Sequence, residues 1–192
     1  MTTSAMRPDD HLSDDDWDRA DDAQHLLFGA PFALDVAAKR LGRGGGVYAW
    51  WAAPSVLPEL TGEPNDVDPG LRLLYLGRAG NLRGRILRNH LRRSGSSTLR
   101  RTLAGLLVSE KYRTTWTDRV VLVPEDETRL TAWMHANLRL TWAEEPEPDN
   151  VEAALVRRLH PPLNVSGVDP EHVRPAVVAA KNAYNASAAP AA

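Results

Sequence analysis

The chain has 192 residues, no cysteine and a formal net charge of -2 at pH 7. Hydrophobic residues make up 43% and charged residues 25%, which suits one soluble globular domain with tails. The lack of cysteine excludes disulfides and thiolate metal sites, and no apolar run is long enough to span a bilayer. The first ten residues contain no apolar segment of the kind found in secretory signals, so we expect a cytoplasmic protein.

Charge is distributed unevenly along the chain. Eight aspartates fall within the first 22 residues, whereas residues 78–101 hold eight arginines and no acidic residue. Such segregation favours a surface that binds a polyanion, although a charge run is also the usual pattern of a solvated helix face.

The composition also predicts three regions. We expect residues 1–30 to form an acidic and partly disordered N-terminal arm, residues 31–165 the folded domain, and residues 166–192 a partly disordered C-terminal extension. The arm is expected either to be a solvated tail or to lie over the basic surface.

The first half of the chain predicts two helices and then a pair of strands. Helices are expected over residues 14–28 and 32–41, followed by Gly44-Gly45-Gly46 and a strand over residues 47–51. These glycines precede a strand, whereas a dinucleotide-binding loop follows one, so we reject that function. After a long polar loop, a second strand over residues 72–77 is expected to pair antiparallel with the first.

The second strand leads through a short turn into a basic helix that begins at Leu82. The free N–H groups and the dipole of a helix N-terminus attract anions. With basic side chains near this helix start and no acidic one, the pattern predicts a phosphate site, with a solvated basic face as the alternative. The side chains concerned are Arg78, Arg83, Arg85, Arg88 and His90.

Helices and extended segments are expected to alternate through the second half of the chain. Ser97 is expected to cap a helix that starts at Thr98, and Asp149 or Asn150 to cap a late helix over residues 151–159. The other expected elements are an extended segment over residues 120–123, a helix over 125–136, a strand over 138–143 and a short helix around 173–183.

Several short motifs occur in a characteristic order. The first strand carries Gly46-Val47-Tyr48, the second carries Tyr75-Leu76-Gly77, and Arg85 follows Gly77 by eight residues. Glu152 opens a late helix, and the sequence Pro-Pro-Leu-Asn at residues 161–164 follows that helix. Over roughly residues 44–165, this arrangement resembles the GIY-YIG nuclease superfamily.

The resemblance implies an α/β (α+β) fold with a small, mainly antiparallel three-stranded sheet flanked by helices, here with extra N-terminal helices. It also implies hydrolysis of DNA phosphodiester bonds with one divalent metal ion, Mg²⁺ or Mn²⁺. The implied catalytic residues are Tyr48, Tyr75, Arg85, His90, Glu152 and Asn164. The arginine run adds expected DNA contacts at Arg78, Arg83, Arg88, Arg92, Arg93, Arg100 and Arg101.

The resemblance gives each site residue a role. Tyr48 is expected near the attacking water as general base or its relay, and Tyr75 near the phosphate. Arg85 is expected to stabilise charge on the phosphoryl oxygens. Glu152 is expected to hold the metal, since one carboxylate suffices for Mg²⁺ when waters and phosphate supply the other ligands. Asn164 is expected to brace the site.

Two departures from the family pattern leave questions open. The loop between the two tyrosines is longer than usual, and His90 lies five residues after Arg85 instead of the usual four. An α-helix turns about 100° per residue, so a fifth position does not lie directly over Arg85, and the place of His90 in the site stays open.

The alternatives are a catalytically inactive nucleic-acid-binding module of the same fold and a protein-interaction domain that uses its tryptophans. No separate recognition domain is visible, so DNA specificity is expected to be low, based on DNA structure, or supplied by a protein partner. The oligomeric state is left open.

Overall fold

In the computed structural model, which describes residues 12–107 and 110–190, an antiparallel four-stranded sheet carries the rest of the fold. Its strands are β1 (Phe32–Ala33), β2 (Gly46–Ala52), β3 (Arg72–Ala79) and β6 (Leu138–Glu144), hydrogen-bonded in the order β1-β6-β2-β3. A separate hairpin pairs β4 (Thr114–Trp116) with β5 (Val120–Leu122). The predicted α+β architecture is thereby confirmed.

Helices cover both faces of the sheet. The α-helices are α1 (Asp14–Leu27), α2 (Leu34–Arg40), α3 (Leu82–Gly84), α4 (Thr98–Leu106), α5 (Pro124–Asn137), α6 (Pro148–Leu159) and α7 (Pro175–Asn185). A six-residue π-helix, Arg85–His90, continues directly from α3.

The sheet has one strand more than expected. Phe32 and Ala33 were expected at the start of a helix, but they pair with β6 as a two-residue edge strand before α2 begins. The Phe32 ring packs against Trp142 of β6 at a centroid distance of 5.4 Å, which fixes this edge. Likewise α6 begins at Pro148, so Asp149 and Asn150 lie in its first turn and do not cap it.

Strand β2 is buried along its whole length because helices cover both sides of the sheet. Val47, Ala49 and Trp51 belong to the core cluster that includes α1 and α6. Tyr48 and Trp50 point the other way, into the cluster that includes the π-helix, α4 and α5. Tyr48 therefore faces the basic helix.

Both ends of the described chain pack onto this core. In α1, Ala20, Ala23 and Leu27 are buried, and the helix lies against α6 and β6. In the C-terminal region, α7 lies against α4. Helix α1, expected from the sequence over residues 14–28, is thus an integral part of the fold; the expected disorder of residues 1–11 and 191–192 lies outside the described residues.

The contact between α4 and α7 depends on a glycine. A side chain at Gly105 would place its Cβ 2.2 Å from the carbonyl oxygen of Ala180, so only glycine allows the two helices to approach this closely. Among the residues that the structure describes, none of the helices has the length and apolarity needed to cross a bilayer.

Candidate active site

The pairing of β2 with β3 brings the two motif tyrosines onto one side of the sheet. Tyr48 lies opposite Gly77, and Trp50 lies opposite Tyr75. The register shifts after Trp50, where Leu74 is the extra residue of a β-bulge. The rings of Tyr48 and Tyr75 are 6.5 Å apart between centroids. The motif tyrosines are therefore neighbours, as the sequence resemblance implied.

Gly77 is required by the position of the tyrosine rings. A Cβ at this residue would lie 2.6 Å from the hydroxyl oxygen of Tyr48 and 2.9 Å from a ring carbon of Tyr75. Tyr48 is fully buried on a central strand and cannot move aside. The glycine of the Tyr75-Leu76-Gly77 motif thus leaves room for the Tyr48 hydroxyl.

Asn164 holds the outer edge of β3 from the segment that follows α6. Its side-chain oxygen accepts a hydrogen bond from the Leu76 backbone N–H at 3.0 Å, and its side-chain nitrogen donates to the Leu76 carbonyl at 2.9 Å. On this edge strand, the Asn164 amide makes the two hydrogen bonds that a neighbouring strand would otherwise make with Leu76. It thereby fixes the backbone between Tyr75 and Gly77.

The π-helix resolves the unusual spacing of His90. In a π-helix each N–H bonds to the carbonyl five residues earlier, so residues five apart lie on the same side. The Leu91 N–H donates to the Ile86 carbonyl at 2.9 Å in this pattern. Both Arg85 and His90 consequently reach Tyr48, which a fifth position in a regular α-helix would not allow.

A buried hydrogen-bond chain runs through Tyr48, His90 and Ser97. The Tyr48 hydroxyl lies 2.6 Å from His90 Nε2, and His90 Nδ1 lies 2.8 Å from Ser97 Oγ. Arg85 Nε donates to the Tyr48 oxygen at 3.3 Å. Since this oxygen accepts from Arg85, we assign the phenol proton to the bond with Nε2, which makes Nδ1–H the donor to Ser97.

Burial keeps both ends of the Tyr48–His90 bond neutral. It raises the pKa of Tyr48, Tyr75 and Glu152 raise it further, and Arg85 opposes them. Burial also lowers the pKa of His90 well below its usual range, and the cations Arg85 and Arg100 add to this effect. Desolvation outweighs the attraction of Arg85, so the pKa of the Tyr48 phenol lies above its ordinary value.

Arg85 lies between the tyrosines and the loop that follows the π-helix. Besides the Tyr48 contact, its Nη1 donates to the Ser96 carbonyl at 2.9 Å. Its charge also lowers the pKa of Tyr75, although burial and Glu152 raise that pKa more strongly. A guanidinium has five N–H donors, so Arg85 can bind a phosphate while keeping both contacts.

Glu152 approaches the tyrosines from α6, which packs on the face of the sheet opposite to the π-helix. Its side chain is 25% exposed and pairs with Arg78 Nε at 3.5 Å, while Arg78 also pairs with Asp149. No cluster of three or more His, Cys, Asp or Glu side chains suited to a metal occurs within residues 12–107 and 110–190. The donor set therefore fits a cation that needs one carboxylate and takes its other ligands from water and phosphate.

The start of the basic helix does not offer the free amides that the sequence predicted. The Leu82 and Arg83 N–H groups donate to the Gly44 and Gly42 carbonyls, at 2.9 and 3.1 Å. The Gly84 N–H donates to the Asn81 side chain. These three amides are used within the protein, so any phosphate site here has to rest on side chains.

The expected DNA contacts divide by exposure. Arg88, Arg92 and Arg93 are exposed. Arg83 is half-buried and donates to the carbonyls of Ala38 and Leu41, at the end of α2. Arg101 is half-buried and donates to the Ser94 and Gly95 carbonyls.

The expectation that Arg100 contacts DNA is wrong. Its side chain is completely buried and pairs with Glu127 at 2.7 Å. It also donates to the His90 carbonyl at 3.1 Å and to Thr131 at 3.0 Å. Arg100 therefore connects the C-terminal end of the π-helix to α5.

Sequence reasoning missed the part that Ser97 plays in the site. It predicted Ser97 as the cap of α4, and its Oγ does accept the Arg100 N–H at 3.1 Å. The same oxygen is the partner of His90. A serine at a helix cap carries no sequence signal for a second partner, because that partner depends on the π-helix.

Comparison with known protein families shows to which family the chain belongs. The family model of the GIY-YIG catalytic domain matches residues 46–178, which is more than half of the chain, so the chain belongs to the GIY-YIG catalytic domain family. Comparisons with curated proteins and with solved structures give no match. The family indicates nuclease activity in general, with DNA as the substrate.

Proposed function

We propose that this protein is a divalent-metal-dependent endonuclease that hydrolyses DNA phosphodiester bonds. The observation that carries the proposal is the convergence of Arg85 and His90 on the Tyr48 hydroxyl, with the charge of Glu152 acting on both motif tyrosines. Phosphodiester cleavage needs an activated water and stabilisation of the charge that grows on the phosphoryl oxygens. This group of side chains can supply both.

Arg85 would bind the scissile phosphate. It is half-buried, and hydrogen bonds to Tyr48 and Ser96 hold it in place. A preorganised donor of this kind stabilises charge in the transition state without rearranging. Tyr75 would line the same space beside the phosphate.

Tyr48 would act as a relay to His90 and not as a pre-ionised base. In the free protein the Arg85 cation helps to keep His90 neutral. A phosphate bound to Arg85 would offset that cation and so raise the pKa of His90. Tyr48 could then take a proton from the attacking water while passing its own to Nε2, with Ser97 accepting from Nδ1–H.

Glu152 would hold Mg²⁺ or Mn²⁺, and Asn164 would keep β3 in place beside it. When bound, such a metal supplies Lewis-acid stabilisation to the phosphoryl oxygens. Arg78 pairs with Glu152 and would have to yield this carboxylate to the metal.

DNA affinity would come from the exposed arginines after the site, Arg88, Arg92 and Arg93, with Arg78 near Glu152. As phosphate contacts, these side chains would position the DNA without reading its sequence. Specificity would therefore be low, based on the structure of the DNA, or supplied by a protein partner.

The test is a cleavage assay on supercoiled, branched and single-stranded DNA, with and without Mg²⁺ or Mn²⁺. We expect metal-dependent cleavage by the wild-type protein. Glu152→Gln, which keeps the shape of the side chain and removes its charge, should abolish cleavage while DNA binding and thermal stability stay close to wild type. Full activity of this variant would refute the metal assignment.

A non-catalytic DNA-binding module is the second candidate. Two observations favour it: Tyr48 is fully buried, and Arg78 pairs with the only carboxylate assigned to the metal. Binding without cleavage in the same assay, with each metal and each DNA form, would establish this alternative.

A further inference from the structure

Next to the candidate active site, a basic pocket lies between the hairpin and the two helices α4 and α7. It has a volume of about 290 Å³ and is lined by Arg101, Asp118, Arg119, Val120, Lys181 and Asn185. Asp118 pairs with Arg119 at 2.8 Å. Three cations thus face one carboxylate, so the pocket favours an anion.

One loop connects this pocket to the candidate active site. Arg101 and Arg119 each donate to the Gly95 carbonyl at 3.2 Å. Arg85 donates to the following carbonyl, that of Ser96, at 2.9 Å. Because successive residues are only about 3.8 Å apart along the chain, the guanidinium groups of the site and of the pocket flank the same short stretch of backbone.

These cations lie close enough to act on the pKa of Arg101. Burial lowers it, the nearby charges of Arg119 and Arg85 lower it further, and Tyr184 opposes them. The positive charges of Arg101, Arg119 and Arg85 repel one another, and a bound anion would relieve this repulsion. A nucleic-acid backbone, which carries successive phosphates, can neutralise the cations of the candidate active site and of the pocket together. A single small anion can neutralise the cations of only one of them.

An exposed tryptophan borders the pocket. Trp116 lies directly opposite Val120 in the hairpin, and directly opposed residues share one face of a sheet. Val120 lines the pocket, so Trp116, which is not itself a lining residue, lies one strand away from it across the hairpin. Its side chain is 38% exposed, and it is the only aromatic among the exposed large hydrophobic side chains in the described part of the chain.

We propose that this pocket binds the backbone of an unpaired DNA strand that leaves the active site, with one base stacked on Trp116. The proposal rests on the proposed nuclease function, and it makes a duplex with an adjoining single strand the preferred substrate. Cationic grooves with an aromatic stacking surface are the usual way to hold single strands. Trp116 favours unpaired bases because the bases of a duplex are already stacked on each other.

The test measures binding in EDTA, where cleavage cannot occur, using three labelled DNAs: single-stranded, blunt duplex, and duplex with a single-stranded tail. Trp116→Ala should weaken binding of tailed DNA about tenfold, with little effect on blunt duplex, and Trp116→Phe should restore it. Lys181→Ala should weaken binding several-fold and make the salt slope shallower by about one. Asp118→Asn removes the opposing charge and should strengthen binding.

The matched control is Lys39→Ala, which removes an exposed lysine from α2, a helix that packs against β1 and β6. It should leave the preference for tailed DNA unchanged. Circular dichroism and thermal melts of each variant separate binding effects from misfolding. The proposal is overturned if wild-type protein does not prefer tailed to blunt DNA, or if Trp116→Ala and Lys181→Ala bind as Lys39→Ala does.

The measurements distinguish failure of the pocket proposal from failure of the proposed nuclease function. If the wild-type protein cleaves DNA but the pocket variants bind normally, the pocket proposal fails and the nuclease proposal stands. If the variants bind as expected but no DNA is cleaved, the pocket proposal stands and the nuclease proposal fails.

Discussion

Arg100→Ala should destabilise the fold and should not act as the loss of a DNA contact. The arginine is completely buried, and its contacts are Glu127, Thr131 and the His90 carbonyl. Removing the arginine leaves the largely buried Glu127 carboxylate without its ion-pair partner. Breaking a buried ion pair in this way costs about 3–5 kcal/mol. For a domain of this size the melting temperature should fall by roughly 6–20 °C.

The assay is thermal or urea unfolding of Arg100→Ala beside Arg92→Ala, which removes an exposed arginine. Arg92→Ala should change stability by less than about 0.5 kcal/mol. Glu127→Gln keeps an acceptor for Ser94 and removes the charge, so it should rescue part of the loss in the Arg100→Ala background. The reasoning is refuted if Arg100→Ala melts with the wild type and loses more DNA affinity than Arg92→Ala.

Three further predictions concern the site. Arg85→Ala should lower the single-turnover cleavage rate at saturating enzyme by about a hundredfold, whereas Arg92→Ala should change only affinity; equal saturated rates would exclude Arg85 from catalysis. Gly77→Ala should abolish cleavage, since its Cβ meets Tyr48 at 2.6 Å, and an active, normally stable variant would contradict this geometry. Because the folded-state pKa of His90 lies below its unfolded value, stability should fall as pH drops below about 6.5, by at most about 1.4 kcal/mol per unit. His90→Gln should remove that part of the pH dependence in urea titrations, and an unchanged profile would show that His90 is not buried neutral.

Local patterns predicted the framework of the site well. Strand β2 follows from aromatic and branched residues after three glycines, and β3 from an apolar run that Gly77 interrupts. Their antiparallel pairing sets Tyr48 opposite Gly77. Helix α5 and strand β6 are likewise visible in the periodicity of the sequence. These elements are determined by residues close in the chain, which is the information that a single sequence displays.

Contacts between residues that lie far apart in the chain could not be predicted from the sequence. Arg100 and Arg92 look alike within the arginine run, yet one is buried against Glu127 and the other is exposed. The difference depends on the contacts that the Arg100 side chain makes with Glu127 and Thr131 of α5. The two-residue strand β1 was missed for a related reason: it is too short for alternation to show, and its pairing with β6 alone defines it.

The π-helix shows how a local rule and a tertiary contact combine in the candidate site. A regular α-helix would turn His90 away from Arg85, because five residues exceed one turn. The wider π turn brings His90 to Tyr48, and two contacts hold it there: Ser97 at Nδ1 and Arg100 at its carbonyl. π-helical turns are rare and concentrate at functional sites. The extra residue between Arg85 and His90, which looks like a departure from the family pattern, is therefore accommodated in the helix and leaves the hydrogen bond to the motif tyrosine intact.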